Sequence, residues 1–124
     1  MPKKILVVDD ETEYRELADL LLTKAGFRVV TAANGRDGLN AFAAESPDLV
    51  LLDVMLPDML GFDVCKKIRQ DKVRGATPVL LCTVRSTVSS LAQGLKSGTT
   101  DYVIKPYDPK DLLARVRGAL AAVG

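Results

Sequence analysis

The sequence predicts an α/β domain: a doubly wound, five-stranded parallel sheet with helices on both faces. Three observations carry that reading. Five short apolar runs recur at even spacing along the 124 residues, and helical periodicity marks the intervals between them. Several runs are continuously apolar rather than alternating, as strands covered on both faces are. Right-handed crossovers then distribute the helices over the two faces.

The first strand is expected at residues 5–8 (Ile-Leu-Val-Val) and runs straight into Asp9-Asp10. Tyr14, Leu17, Ala18 and Leu21 follow at helical spacing, Asp10 with Glu13 reads as a capping pair, and Gly26 suits the position just past the helix end. A second strand at 29–32 leads to Asn34 and Asp37, which can open the second helix. The third strand, 49–52, ends on Asp53. In the segment that follows, Pro57 and Gly61 favour an ordered turn over direct continuation into helix. The fourth strand, 79–82, ends on Thr83, and Val88, Leu91, Ala92 and Leu95 repeat the helical stripe. The fifth, 102–104, ends on Lys105. Asp108, Pro109 and Asp111 then fit the cap, first and third positions of a last helix striped by Leu112, Val116 and Leu120.

Composition narrows the class further. The chain is 48% hydrophobic and 27% charged, which is globular rather than disordered. Its formal charge of +1 gives no basic footprint, so direct nucleic-acid binding is not expected. Cys65 and Cys82 sit in apolar contexts without metal-site spacing and read as reduced thiols in or near the core. Only four apolar residues precede Asp9, too few for a secretory signal, and no run approaches the roughly 18 needed to span a membrane. A soluble, cytoplasmic, single domain over residues 1–124 is expected. Any output domain is expected on another chain, or to have been cut from this one.

The chemistry gathers at strand ends. Asp9, Asp10 and Asp53 each follow a parallel strand, and such exits open on one carboxyl edge, where α/β proteins build their sites. If the first and third strands are neighbours, three carboxylates meet there and repel one another. A hard divalent cation resolves that conflict, and oxygen ligands favour magnesium. A backbone carbonyl near Met55 can complete the set, whereas the side chains of Met55 and Met59 read as packing or surface groups. Thr83 and Lys105, at two further strand exits, can supply a hydroxyl donor and a cation to the same edge. Taken singly, each residue has an ordinary reading. Asp10 is a helix cap, Asp53 and Thr83 are turn residues, and Lys105 is a surface charge.

The ordered set closely resembles the receiver domain of two-component response regulators of the chemotaxis-regulator kind, over nearly the whole chain. Val7-Val8-Asp9-Asp10-Glu11, Leu52-Asp53-Val54-Met55-Leu56-Pro57, Asp101-Tyr102 and Lys105-Pro106-Tyr107 carry the resemblance. It implies a flavodoxin-like strand order of 2-1-3-4-5, with Asp53 as phosphoacceptor from a sensor histidine kinase or histidine phosphotransfer protein. It assigns magnesium to Asp9, Asp10, Asp53 and the Met55 carbonyl, with Lys105 and Thr83 on the phosphoryl oxygens. It further implies a cis Lys105-Pro106 peptide. Thr83 and Tyr102 would couple the site to the face of the fourth helix, fifth strand and fifth helix. No turnover of an external substrate is implied. A plain core role for Tyr102 stays open.

Two places depart from that family's pattern. Val84 stands where a small residue is commoner; its branched side chain is expected to narrow access to Asp53 and slow phosphotransfer, hydrolysis or both. Arg85 beside it reads as a partner contact or a solvated charge. Gly98-Thr99-Thr100-Asp101 replaces a commoner Ala and acid. Three rival readings share parts of this pattern: a receiver-like docking module that is never phosphorylated, a magnesium-dependent phosphatase, and a small flavin carrier. The phosphatase would be expected to place a second acid where Met55 stands. The carrier lacks a phosphate loop after Val8, and Asp9-Asp10 would repel a flavin phosphate. Homodimerisation stays open, since periodicity does not separate exposed from core apolar residues on the fourth helix.

Overall fold

The computed structural model describes residues 2–84 and 98–123. In chain order these form β1 (Lys4–Val8), α1 (Thr12–Lys24), β2 (Arg28–Ala32), α2 (Gly35–Glu45), β3 (Leu49–Asp53), α3 (Gly61–Arg69), β4 (Val79–Val84), β5 (Asp101–Lys105) and α4 (Pro109–Val123), helices being numbered over the described residues. The expected helix bearing Val88, Leu91, Ala92 and Leu95 lies outside them, as does Arg85.

All five strands are parallel and lie in the order 2-1-3-4-5. This is the flavodoxin-like arrangement that the resemblance implied. β1 and β3 are therefore neighbours, pairing Val8 with Leu52 at the carboxyl edge. The strands run slightly further than the apolar pattern suggested. β3 takes in Asp53, opposite Cys82, and β4 takes in Thr83 and Val84, which stand opposite Ile104 and Lys105.

The period of two sorts the core into two layers. Leu6, Val8, Val50, Leu52, Val79 and Leu81 face one side, where they pack with Phe42 of α2 and Phe62 and Ile68 of α3. Ile5, Val7, Leu49, Leu51, Leu80 and Cys82 face the other, against Leu22 of α1 and Leu112 and Val116 of α4. Asp53 continues the Leu49–Leu51 row and Lys105 continues the Val103 row, so both side chains emerge on the α1–α4 side of the sheet. Cys65 and Cys82 are both buried.

Helix ends explain the spacing of the elements. Asn34 caps α2, its side chain accepting from Asp37 N–H at 2.7 Å. Asp108 caps α4 by accepting from Lys110 N–H at 3.0 Å. Gly26, φ +96°, turns the chain out of α1 in the left-handed region that glycine alone enters without strain. The start of α1 corrects one expectation. Its cap position is Glu11, without a side-chain cap bond, so Asp10 and Glu13 form no capping pair. Asp10 is left to the site instead. The stripe of α1 also shifts: Ala18 and Leu22 are fully buried, while Leu17 is 36% exposed.

Candidate functional site

Buried polar groups are rare in a domain of this size, and four of those here lie at one place. Asp9, Asp53, Thr83 and Lys105 are buried together at the carboxyl edge. Exposed Asp10 and Glu11 rise beside them from the β1–α1 turn. Ligand oxygens of Asp9, Asp10, Glu11 and Asp53 all lie within 4.8 Å of one another. The cluster exists because β1 and β3 pair in register, so chain ends distant in sequence arrive side by side.

Lys105 is the counter-charge. Its Nζ lies 2.8 Å from Asp9 Oδ2, 3.3 Å from Glu11 Oε1 and 3.4 Å from Asp53 Oδ2. The ammonium also stands 4.3 Å from the centre of the Tyr14 ring, which packs edge-on against Tyr107. Asp9 Oδ1 is spoken for by Glu11 N–H at 3.0 Å, and the Asp9 carbonyl accepts from Arg15 Nη1 at 2.7 Å. Asp9 is thus fixed by its own turn. Asp53 is held more loosely, accepting from Met55 N–H at 3.4 Å.

Burial sets the electrostatics. It pushes the Asp53 carboxyl up to about 6, the charge of Asp9 adding to the rise while Lys105 and the Met55 N–H work against it. For Lys105 burial opposes the charged form. The bond to Asp9 and the charges of Asp53 and Asp9 outweigh it and hold the ammonium above its ordinary value. Burial also pushes the Cys82 thiol up to about 12 and raises Tyr107. Those two groups therefore stay neutral and form an uncharged wall behind the acids.

A cleft of about 250 Å³ opens onto this cluster, lined by Asp10, Asp53, Met55, Thr83, Val84 and Lys105 among others. The sequence singled out every one of these. Val84 is 45% exposed at this cleft. Thr83 Oγ1 donates to the Val84 carbonyl at 3.2 Å. The Lys105–Pro106 peptide is cis. Tyr102 stands apart; it is half-buried beneath the Arg115 guanidinium, 4.9 Å from ring centre to Cζ, and is not a core aromatic.

The segment after Asp53 is the ordered turn that Pro57 and Gly61 suggested. Met55 and Leu60 form an antiparallel bridge, and Gly61 N–H donates to the Val54 carbonyl at 2.7 Å. A Cβ on Gly61 would stand 2.3 Å from the Asp53 carbonyl oxygen, so only glycine closes this turn against the backbone of Asp53. Sequence reading missed Glu11 and Tyr14, both of which touch Lys105. A third acid directly after Asp9-Asp10 was the available signal for Glu11. Tyr14 was read only as part of a helical stripe.

A five-stranded 2-1-3-4-5 parallel sheet with acids and a buried lysine at its carboxyl edge defines a class, the receiver-type α/β domains. Comparison with known proteins agrees: the family model described as the response regulator receiver domain matches residues 5–117. The alkaline phosphatase synthesis transcriptional regulatory protein PhoP of Bacillus subtilis is 42% identical over 120 residues, covering 97% of this chain and 49% of that protein. The DNA-binding response regulator MtrA of Mycolicibacterium paratuberculosis is 41% identical, covering 97% and 52%. Among solved structures, the chemotaxis protein CheY4 of Vibrio cholerae superposes with a TM-score of 0.91 at 31% identity, covering 96% of this chain and 99% of that one. The chain belongs to the response regulator receiver domain family. It spans about half the length of the curated relatives it matches. Among the described residues, no helix is long and apolar enough to cross a membrane.

Proposed function

We propose that the domain is a phosphorylation switch in which Asp53 accepts a phosphoryl group from a phosphohistidine on a sensor kinase or histidine phosphotransfer protein. One observation carries this reading: four carboxylates converge within 4.8 Å at the mouth of a cleft, with a buried lysine 3.4 Å from Asp53. Membership of the receiver family supports it.

In the transfer, an Asp53 carboxylate oxygen attacks phosphorus while the bond from phosphorus to the donor imidazole nitrogen breaks. The imidazole leaves with that electron pair and takes up a proton. Asp53 is the acid suited to this, since it is buried at the cleft yet held only by long contacts, to Met55 N–H and Lys105 Nζ at 3.4 Å each. The donor set is all hard oxygen, which fits magnesium: Asp9, Asp10, Asp53 and the Met55 carbonyl would hold it. When bound, the ion supplies charge neutralisation to the phosphoryl oxygens during in-line transfer. Lys105 neutralises one of those oxygens by moving off Asp53, and Thr83 donates its hydroxyl to another. Val84 narrows the approach. Thr83 on β4 and Tyr102 on β5 carry the change away from the site; the helix expected between these strands lies outside the described residues.

The chain is the regulatory part of such a system and turns over no external substrate. It acts in the cytoplasm, makes no direct contact with DNA, and its state is read by an output segment or another protein. The test is to incubate the protein with a small phosphodonor, with and without magnesium, and to measure intact mass. One acid-stable, base-labile phosphoryl adduct is expected. It should need magnesium and be absent from Asp53→Asn. Failure with small donors and kinases alike would leave a docking module that is never phosphorylated.

A further inference from the structure

The turn that carries Met55 is pinned at its tip as well as its base, and the pin is a carboxylate with no place in the chemistry above. Asp58 reaches across to the start of α2. Its Oδ1 accepts from Gly35 N–H at 2.7 Å and its Oδ2 accepts from Arg36 N–H at 2.9 Å. These are two of the amide donors a helix N-terminus leaves unpartnered, and each oxygen takes one. The same bonds hold the pKa of Asp58 below its ordinary value, so the clasp is anionic near neutrality. Beside it, Met59 packs so closely on Gly35 that a Cβ there would stand 2.4 Å from Met59 Cγ.

The helix does not need this clasp for its own cap. Asn34 already accepts from Asp37 N–H and donates to Asp37 Oδ2 at 3.0 Å. What depends on Asp58 is the turn. Its base is closed by the Met55–Leu60 bridge and the Gly61 N–H bond to Val54. At its tip, Asp58 supplies the polar tie beside the packing of Met59 on Gly35. At the base, Met55 presents its N–H to Asp53 and lines the cleft.

We infer that Asp58 is a positioning residue: by tying the turn after β3 to the N-terminus of α2, it fixes the Met55 backbone at the acid cluster. The inference rests on the proposal that this cluster binds magnesium. Its test titrates magnesium alone into wild type, Asp58→Ala, Asp58→Asn and Asn34→Ala, reading affinity by calorimetry. Amide exchange at Met55 is followed in metal-free samples.

Asp58→Ala is expected to weaken magnesium binding by about tenfold, as loss of a group that orients a metal ligand does. It should also speed exchange at Met55. Asp58→Asn keeps one acceptor oxygen and should recover most of both. Asn34→Ala destabilises α2 but should leave the magnesium affinity and Met55 exchange at wild-type values, which separates positioning from helix stability. Equal affinities for wild type and Asp58→Ala would overturn the inference and leave the metal site standing. Wild type without measurable affinity would overturn both.

Discussion

Lys105 and Arg115 each sit among carboxylates with a tyrosine ring beneath them, one at the carboxyl edge of the sheet and the other on its flank. Lys105 meets Asp9, Glu11 and Asp53 and stands over Tyr14. Arg115 meets Asp101 at 2.9 Å and Asp111 at 3.1 Å and stands over Tyr102. The lysine side chain is 2% exposed and the arginine side chain 31%. Water therefore screens the second cluster, which ties β5 to α4 at little cost or gain. It is largely excluded from the first, where like charges are forced together and Asp53 is left part-way to protonation. The same pattern of groups is surface glue in one place and a buried, strained cluster in the other. Burial makes the difference.

The largest effect that would break this comparison is on Lys105 itself. Lys105→Met leaves three acids around an apolar side chain and should cost about 3 kcal/mol near pH 7, measured by urea unfolding. A cost no larger than that of a surface substitution would show the two clusters to be equivalent.

Removing the acid should do the reverse. The folded-state value for Asp53, about 6, lies above the ordinary 3.8. Between those values the folded protein keeps a proton that the unfolded chain has released, so this group's contribution to stability falls as pH rises through about 6. With chelator present, Asp53→Asn should match wild type below about pH 4 and exceed it by about 3 kcal/mol above about pH 6. A constant difference across that window would contradict the assignment.

Magnesium should relieve the same strain without mutation. At roughly ten times its Kd it should stabilise wild type by about 1.4 kcal/mol, an effect that chelator removes. The smallest effect falls on the flank. Arg115→Ala should cost about 0.5 to 1 kcal/mol, shrinking at high salt while the Lys105 effect persists.

Much of this was legible in the sequence because it depends on local pattern. Continuous apolar runs located the strands, and acids directly after two of them marked the edge where a site could form. Asp108-Pro109 and Asn34 announced helix starts because capping uses adjacent residues. What escaped depends on contacts between distant segments. Lys105, read alone, is an ordinary surface charge; its burial follows from β5 pairing with β4 and from the Tyr14 ring, itself packed on Tyr107, lying against it. Glu11 was hidden by its exposure, and its role comes from the buried ammonium below it. Asp10 drew a capping role because its spacing to Glu13 satisfies the motif, yet α1 begins one residue later. The bond from Asp58 to α2 spans 23 residues, and no local motif signals it.

Borohydride reduces an aspartyl phosphate to homoserine, so phosphodonor treatment, reduction and peptide mapping read the acceptor residue directly. Homoserine at position 53 alone, formed only with both donor and magnesium, is the result predicted. Phosphorylated protein in which residue 53 stays aspartate, with the label elsewhere, would contradict it.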